Sequence, residues 1–392
     1  MYDFVLTNGT VIDPAAGLNA RRNVALQGGR IAAILDPSAP VAAKQTLDCN
    51  GLLVVPGLID FHVHVFPGVS NFGVDPDETC LARGVTTVLD FGTAGGLIFD
   101  GFRRFVIDSA TTRVKALMLI AGQGLISSND TKPALGELWD IAYCDVAGCV
   151  QAVEKHRDCV VGIKVRCMDN ISRDGLNEAE GLRRARQAAD ETTLPLVVHP
   201  ANSSLTIHHL LETLRSGDVL THCYHDKNCK LVDANTQVWP ILREKQQEGV
   251  LLDVGHGSGS FAWRVARAML DQGVLPDFLG SDLHTYNVQG PVFDLVTTLS
   301  KFLHLGLSVP EIIRRSTATC ATWLGMADEI GTLKPGACAD ITVLEIVNGE
   351  FPLTDSEGVT EFGRRSFEVR HCFRAGRRVG LLPRPVPPVS RI

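Results

Sequence analysis

The stretch Val54-Val55-Pro56-Gly57-Leu58-Ile59-Asp60-Phe61-His62-Val63-His64 is apolar almost throughout and ends in two histidines one residue apart. Such a run predicts a strand covered on both faces. Alternate side chains on a strand share a face, so His62 and His64 project together. Two imidazoles on one wall are the start of a divalent-cation site. Taken alone, the pair is a weak signal, because two histidines on a half-exposed strand need no metal. What the rest of the chain brings to that wall decides between the two.

At 392 residues the chain is long enough for a large barrel with a lesser unit beside it. Alternating βα texture runs from Leu53 to about residue 330. Eight apolar strand-like runs stand out: Leu53–Val65, Thr86–Phe91, Val114–Ile120, Cys159–Val165, Leu196–His199, Val219–His222, Val250–Val254 and Asp277–Asp282. Helix-like stretches such as Asn177–Asp190 separate them. This is the α/β pattern of a (β/α)8 TIM barrel. The stretch from Asn129 to Tyr143 has no period and reads as a loop at the barrel mouth. Val309–Trp323 reads as one helix before Gly325.

Residues 1–55 are different. Short strands flank Asn8-Gly9 and Gly28-Gly29, both read as hairpin turns. They are too few to stand alone. Strand texture returns at Ala339–Leu344, Phe367–Arg374 and Arg378–Leu382. The expectation is a small composite β-sandwich from 1–55 and 331–392 beside a barrel of 56–330, with a Pro-rich tail (Pro383, Pro385, Pro387, Pro388) in extended form.

Catalytic groups of such barrels sit where strands end. The first run ends in His62 and His64, the fifth in His199, the sixth in His222 and the eighth in Asp282, while the fourth carries Lys164 among Val, Gly and Ile. Singly, each has a plain structural use: a hydrogen-bonded core histidine, a helix N-cap, a snorkelling lysine. Jointly they predict a metal centre. A buried lysine is driven towards its neutral form. A neutral amine adds carbon dioxide, and the resulting carbamate is a two-oxygen anion able to bridge two cations ~3.5–4 Å apart. The expected set is His62, His64 and Asp282 on one ion, His199 and His222 on the other, and carbamylated Lys164 between them. Nitrogen-rich ligation favours Zn2+, with Mn2+ or cobalt also compatible.

These residues carry a resemblance. Pro56–His64 is similar to the opening strand of the amidohydrolase superfamily, and Leu333-Lys334-Pro335-Gly336-Ala337-Cys338-Ala339-Asp340 resembles its return to the β-sandwich. The resemblance spans nearly the whole chain and falls in the dinuclear, lysine-bridged branch with dihydroorotases and hydantoinases. Gly162-Ile163-Lys164-Val165-Arg166, His222-Cys223-Tyr224 and Asp253-Val254-Gly255-His256-Gly257 look most like its amidohydrolase/deacetylase group. It implies the same ligands as the strand ends do.

The expected chemistry is attack of a metal-bridging hydroxide on an amide or ester carbonyl, with Asp282 as proton shuttle. Arg166, two residues beyond Lys164, suits a substrate carboxylate. His256, Tyr224 and His284 follow strand ends and are further candidates for substrate contact. Asp60 shares the His62 face and is a candidate partner behind it. The substrate class is then an N-acyl amino acid or O-acyl hydroxy acid. A cyclic amide of the dihydroorotate or hydantoin kind is the alternative. A deaminase is less favoured, because His199 is followed by Pro200-Ala201-Asn202-Ser203 and no glutamate. A catalytically silent barrel serving interactions is the reading from another class, but no ligand is missing.

Composition bounds the partners. A net charge of −7 argues against nucleic acid and anionic membranes. No apolar run reaches a membrane-span length, and Met1-Tyr2-Asp3-Phe4 does not open a signal peptide. Eleven scattered cysteines without a Cys-x-x-Cys fit a reduced, cytoplasmic setting. A small-molecule substrate is expected, and a homo-oligomer is compatible with these features.

Overall fold

The computed structural model describes residues 1–127 and 135–383. Residues 129–134 of the expected mouth loop, and Pro385, Pro387 and Pro388 of the tail, lie outside the described residues. The first five strands are β1 (Tyr2–Asp13), β2 (Leu18–Gln27), β3 (Arg30–Leu35), β4 (Ala43–Asp48) and β5 (Leu53–Pro56). A parallel set follows: β6 (Leu58–Val63), β7 (Val85–Asp90), β8 (Arg113–Leu119), β9 (Val160–Cys167), β10 (Leu196–Pro200), β11 (Val219–Leu220) and β12 (Leu251–Leu252). Three more close the chain: β13 (Ile341–Thr354), β14 (Thr360–Arg374) and β15 (Arg377–Val379).

Strands from both ends of the chain join in one mixed sheet of order β15-β14-β13-β5-β1-β2-β3, with β4 also on β1. The sheet curls. Phe4 and Phe373 meet with ring centroids 5.0 Å apart although β5 and β13 lie between their strands. Flat, that spacing would be roughly 14 Å.

Asn8-Gly9 is a bulge inside β1 rather than a turn. Asn8 takes a left-handed φ of 63°, and the β1–β2 register shifts between Leu6 and Gly9. A Cβ on Gly9 would stand 2.5 Å from Val54 Cγ2, so glycine is what lets β5 approach. Gly28-Gly29 does make the expected two-residue hairpin, with Gln27 opposite Arg30 and φ of 60° and 77°.

The run read as a single first strand serves both sheets. β5 pairs with β1 and β13, and β6 pairs with β7. They part at Gly57, where a Cβ would lie 2.2 Å from Thr86 Oγ1.

The second sheet runs β12-β11-β10-β9-β8-β7-β6, all parallel. The expected eighth strand forms no ladder. It touches both edges by single bridges, Asp253 to Phe278 and Val63 to Leu283. The left-handed φ of 52° at Asp282 interrupts it, while Asp282 N still donates to His62 O at 2.7 Å. Phe61 stacks on Phe278 at 3.6 Å, and Phe91, Leu117, Val197 and Val219 complete an apolar floor.

Helix Glu178–Thr192 falls where it was expected. The expected helix 309–323 is two, Val309–Arg315 and Ala318–Trp323. The break at Ser316 frees its carbonyl to accept from Ile59 N at 2.8 Å. None of the eleven cysteines is disulfide-bonded. Among the described residues no helix is long and apolar enough to cross a membrane.

Candidate metal centre

Above the phenylalanine floor four imidazoles converge, and three of them are held from behind through Nδ1. His62 Nδ1 lies 2.8 Å from Asp253 Oδ2 and 3.1 Å from Thr221 Oγ1. His64 Nδ1 donates to Thr93 Oγ1 at 2.8 Å, and that hydroxyl donates onward to Asp90. His222 Nδ1 donates to Gly255 O at 2.7 Å. Each bond fixes the proton on Nδ1 and makes Nε2 the lone-pair nitrogen, as a metal-binding histidine requires. Burial, then the charge of Lys164, holds His62 and His64 well below their ordinary pKa, so both rings are neutral. His199 Nδ1 stands 2.7 Å from His222 Nε2.

Asp282 completes the group. Its Oδ1 is 3.3 Å from both His62 Nε2 and His64 Nε2. His62, His222 and Asp282 each bring one donor atom to within 4.8 Å of the others. His222 and Asp282 both take left-handed backbone, with φ of 61° and 52°. Strain at two donors of one cluster is the kind a functional site retains, at about 1–3 kcal/mol each.

Lys164 rises from β9 between Leu119 and Val197 of its neighbours. It is 1% exposed, its Nζ makes no hydrogen bond, and the Phe91 ring centroid is 4.5 Å away. Burial pushes its pKa down to about 7 against the pull of Asp282. His62 Nε2 and His199 Nε2 are likewise buried without a hydrogen-bond partner. Buried polar atoms are seldom left so. Imidazole nitrogens, one carboxylate and an amine whose affinity for its proton is weakened by burial make a set that suits divalent cations.

A cavity of about 310 Å3 opens over this cluster, and His64, Lys164, His199, His222 and Asp282 line it. Arg166 and His284 line it too. Tyr286 N donates to His284 Nδ1 at 3.2 Å, so the ring proton sits on Nε2 as a donor. Two expected contacts move off the cavity. His256 is fully buried and turned towards Lys301, its Nε2 2.6 Å from Nζ. Tyr224 is fully buried against Phe261 and Phe302. Their loops are at the mouth, but their side chains point into the surrounding core. Asp60 supports the backbone rather than the His62 ring. It accepts from Ser281 N at 2.9 Å and Ser281 Oγ at 2.5 Å.

The residue behind His62 is Asp253, which the sequence reading absorbed into the run Val250–Val254. An acid inside an apolar run was the available signal. Glu137 was also missed. It is 1% exposed and lies 3.4 Å from Arg166 Nε. Arg166 Nη2 donates to Met168 Sδ at 3.3 Å, and its guanidinium lies 5.9 Å from the Phe72 ring centroid. Lys227 adds a second cation beside Arg166 to the lining, where Asp282 is the only carboxylate among the described residues.

The Amidohydrolase family model matches residues 53–379. A deacetylase of Agrobacterium fabrum is 31% identical over 344 residues, covering 88% of this chain and 83% of the relative. Among solved structures, that of a dihydroorotase is similar at a TM-score of 0.89 and 29% identity, covering 99% of this chain and all 100% of the other. An adenine deaminase structure is similar at a TM-score of 0.86 and 30% identity, covering 97% of this chain and 100% of the other.

Proposed function

Because the chain belongs to the amidohydrolase family, a hydrolase family acting on C–N bonds, we propose that it cleaves an amide or ester bond of a small carboxylate-bearing acyl compound. An N-acyl amino acid or an O-acyl hydroxy acid fits the reading. The observation that carries it is the cavity: free nitrogens of neutral histidines at its base, cationic Arg166 and Lys227 on its walls. The two edge bridges to residues 278–283 support a closed (β/α)8 barrel over 56–330, with the curled sheet of 1–55 and 331–392 as a β-sandwich unit beside it.

His62, His64, His199, His222, Asp282 and a carbamate formed on Lys164 would hold two divalent cations, with Zn2+ favoured by the nitrogen donors. When bound, such a pair supplies Lewis-acid polarisation of the scissile carbonyl and lowers the pKa of the attacking water. Asp282 takes the proton of that water and passes it to the leaving group. Arg166, backed by Glu137, grips the substrate carboxylate through its outward N–H groups. His284, against the same Phe72 ring as Arg166, offers its Nε2–H. The apolar floor keeps bulk water from beneath the reacting atoms.

The test is a hydrolysis screen on metal-replete protein with N-acyl-D- and L-amino acids, acyl hydroxy acids, dihydroorotate, hydantoins and adenine. Turnover of an acyl carboxylate that falls on Asp282→Asn, with metal content kept, is expected. Full activity in Asp282→Asn would remove the shuttle role. The likeness to the dihydroorotase structure favours a second reading, a cyclic amide hydrolase. Turnover confined to dihydroorotate or hydantoins would establish it.

A further inference from the structure

We propose that Lys301 and the tip of the β13–β14 hairpin are positioning elements of the catalytic pocket, holding in place the 255–260 loop that forms one of its walls. The proposal rests on the hydrolytic reading above.

The loop touches the centre at several points. Gly255 O receives the His222 Nδ1 proton. Gly257 N donates to Ser281 O at 3.0 Å, and a Cβ on Gly257 would stand 2.3 Å from Asp282 Oδ2. Ser258, Gly259 and Ser260 line the cavity. A small shift of this loop therefore moves both a donor histidine and the pocket wall.

His256 anchors the loop from behind. Its Nδ1 donates to Gly257 O at 2.9 Å, which leaves Nε2 to accept from Lys301 Nζ at 2.6 Å. Phe261 stacks on the same ring at 4.6 Å. Lys301 sits on the helix Leu295–His304 and is fully buried. Its Nζ also donates to Thr354 O at 2.6 Å and Pro291 O at 3.1 Å. Three acceptors match the three protons of an ammonium group. Thr354 is the last residue of β13, so one side chain ties the loop to the hairpin.

The hairpin tip makes the tie double. Ser356 Oγ accepts from Phe261 N and Ser356 N donates to Phe261 O, both at 2.9 Å. Asp355 Oδ2 accepts from Trp263 N at 3.1 Å, and Trp263 Nε1 donates to Val359 O at 3.1 Å. The sheet built by the chain ends thus reaches across to brace the segment that follows the pocket loop. Lys301 lines no part of the cavity, so it acts through His256 and not on substrate.

The experiment uses the full-length, metal-loaded protein with Lys301→Met and, as the milder change, Ser356→Ala. Metal stoichiometry, kcat and KM on the substrate found by the screen, and amide hydrogen exchange of residues 255–263 are measured. We expect unchanged stoichiometry, faster exchange confined to 255–263, and a KM raised about ten-fold with kcat much less affected. Lower thermal stability with unchanged KM in both variants would reduce Lys301 to a core strut and overturn the proposal. If the screen yields no substrate the hydrolytic reading fails separately. Exchange then decides alone, and unchanged exchange in 255–263 refutes the tie.

Discussion

Two lysines of this chain are sealed from solvent, and their surroundings are opposite. Lys164, on the parallel sheet, ends among four histidines with no hydrogen-bond partner. Lys301, behind the 255–260 loop, spends every N–H on a named acceptor. Burial pushes both amines down to about 7. Desolvation alone therefore does not distinguish the two. Satisfaction does: a buried donor without partners is costly unless it serves an incoming group, and one with all partners in place is a strut.

The contrast can be broken most sharply at Lys164. Lys164→Ala should lower bound metal by one ion per chain and activity on the order of 10⁴-fold, as loss of a group on which the others depend does. Metal analysis after loading with bicarbonate checks it, and two ions retained by the variant would end the carbamate bridge. Next comes the partner of His62. Asp253→Asn should weaken metal affinity ~10–100-fold by loosening the tautomer that Asp253 fixes. Competition with a chelator measures this, and unchanged affinity would leave Asp253 a packing residue.

The buried pair of Arg166 and Glu137 gives an intermediate case. Glu137→Gln removes the charge behind Arg166 and should raise KM about ten-fold for a carboxylate substrate, at constant metal content. An uncharged analogue of the same substrate should show no such rise. The smallest effect is on stability. Lys301 has a native pKa of about 7 against an ordinary 10.5, so between these values the unfolded chain binds more protons. Native stability should climb with pH across that window by up to about 1.4 kcal/mol per unit, and Lys301→Met should flatten the slope. Denaturant unfolding at several pH values tests this, and equal slopes would show that Lys301 keeps its ordinary affinity for protons.

The candidate ligands were legible because each lies in or at the end of an apolar run, and together they have no common structural use. His62, His64, Lys164, His199, His222 and Asp282 all come together as the strand-end argument required. What supports them was less legible. Asp253 hides inside its run, and Glu137 lies in a stretch with no period. His256 and Tyr224 occupy mouth loops, yet side-chain direction there is set by left-handed glycines at 255 and 257 and by packing against Phe261. No pattern in the chain encodes that. Asn8-Gly9 misled for a related reason: the same left-handed residue serves a bulge as well as a turn, and only the nearness of Val54 chooses.

The pairing of β5 with β13 sets an order of events during synthesis. Pro56 lies opposite Ile341, so one edge of β5 waits while the whole parallel sheet is made. Until the last strands leave the ribosome, the N-terminal strands hold an open hydrogen-bonding edge, a state prone to wrong partners. The brace on the 255–260 loop also arrives only then, through Thr354 and Ser356. The residues that complete the hydrogen bonds around the pocket loop are thus among the last to be synthesised.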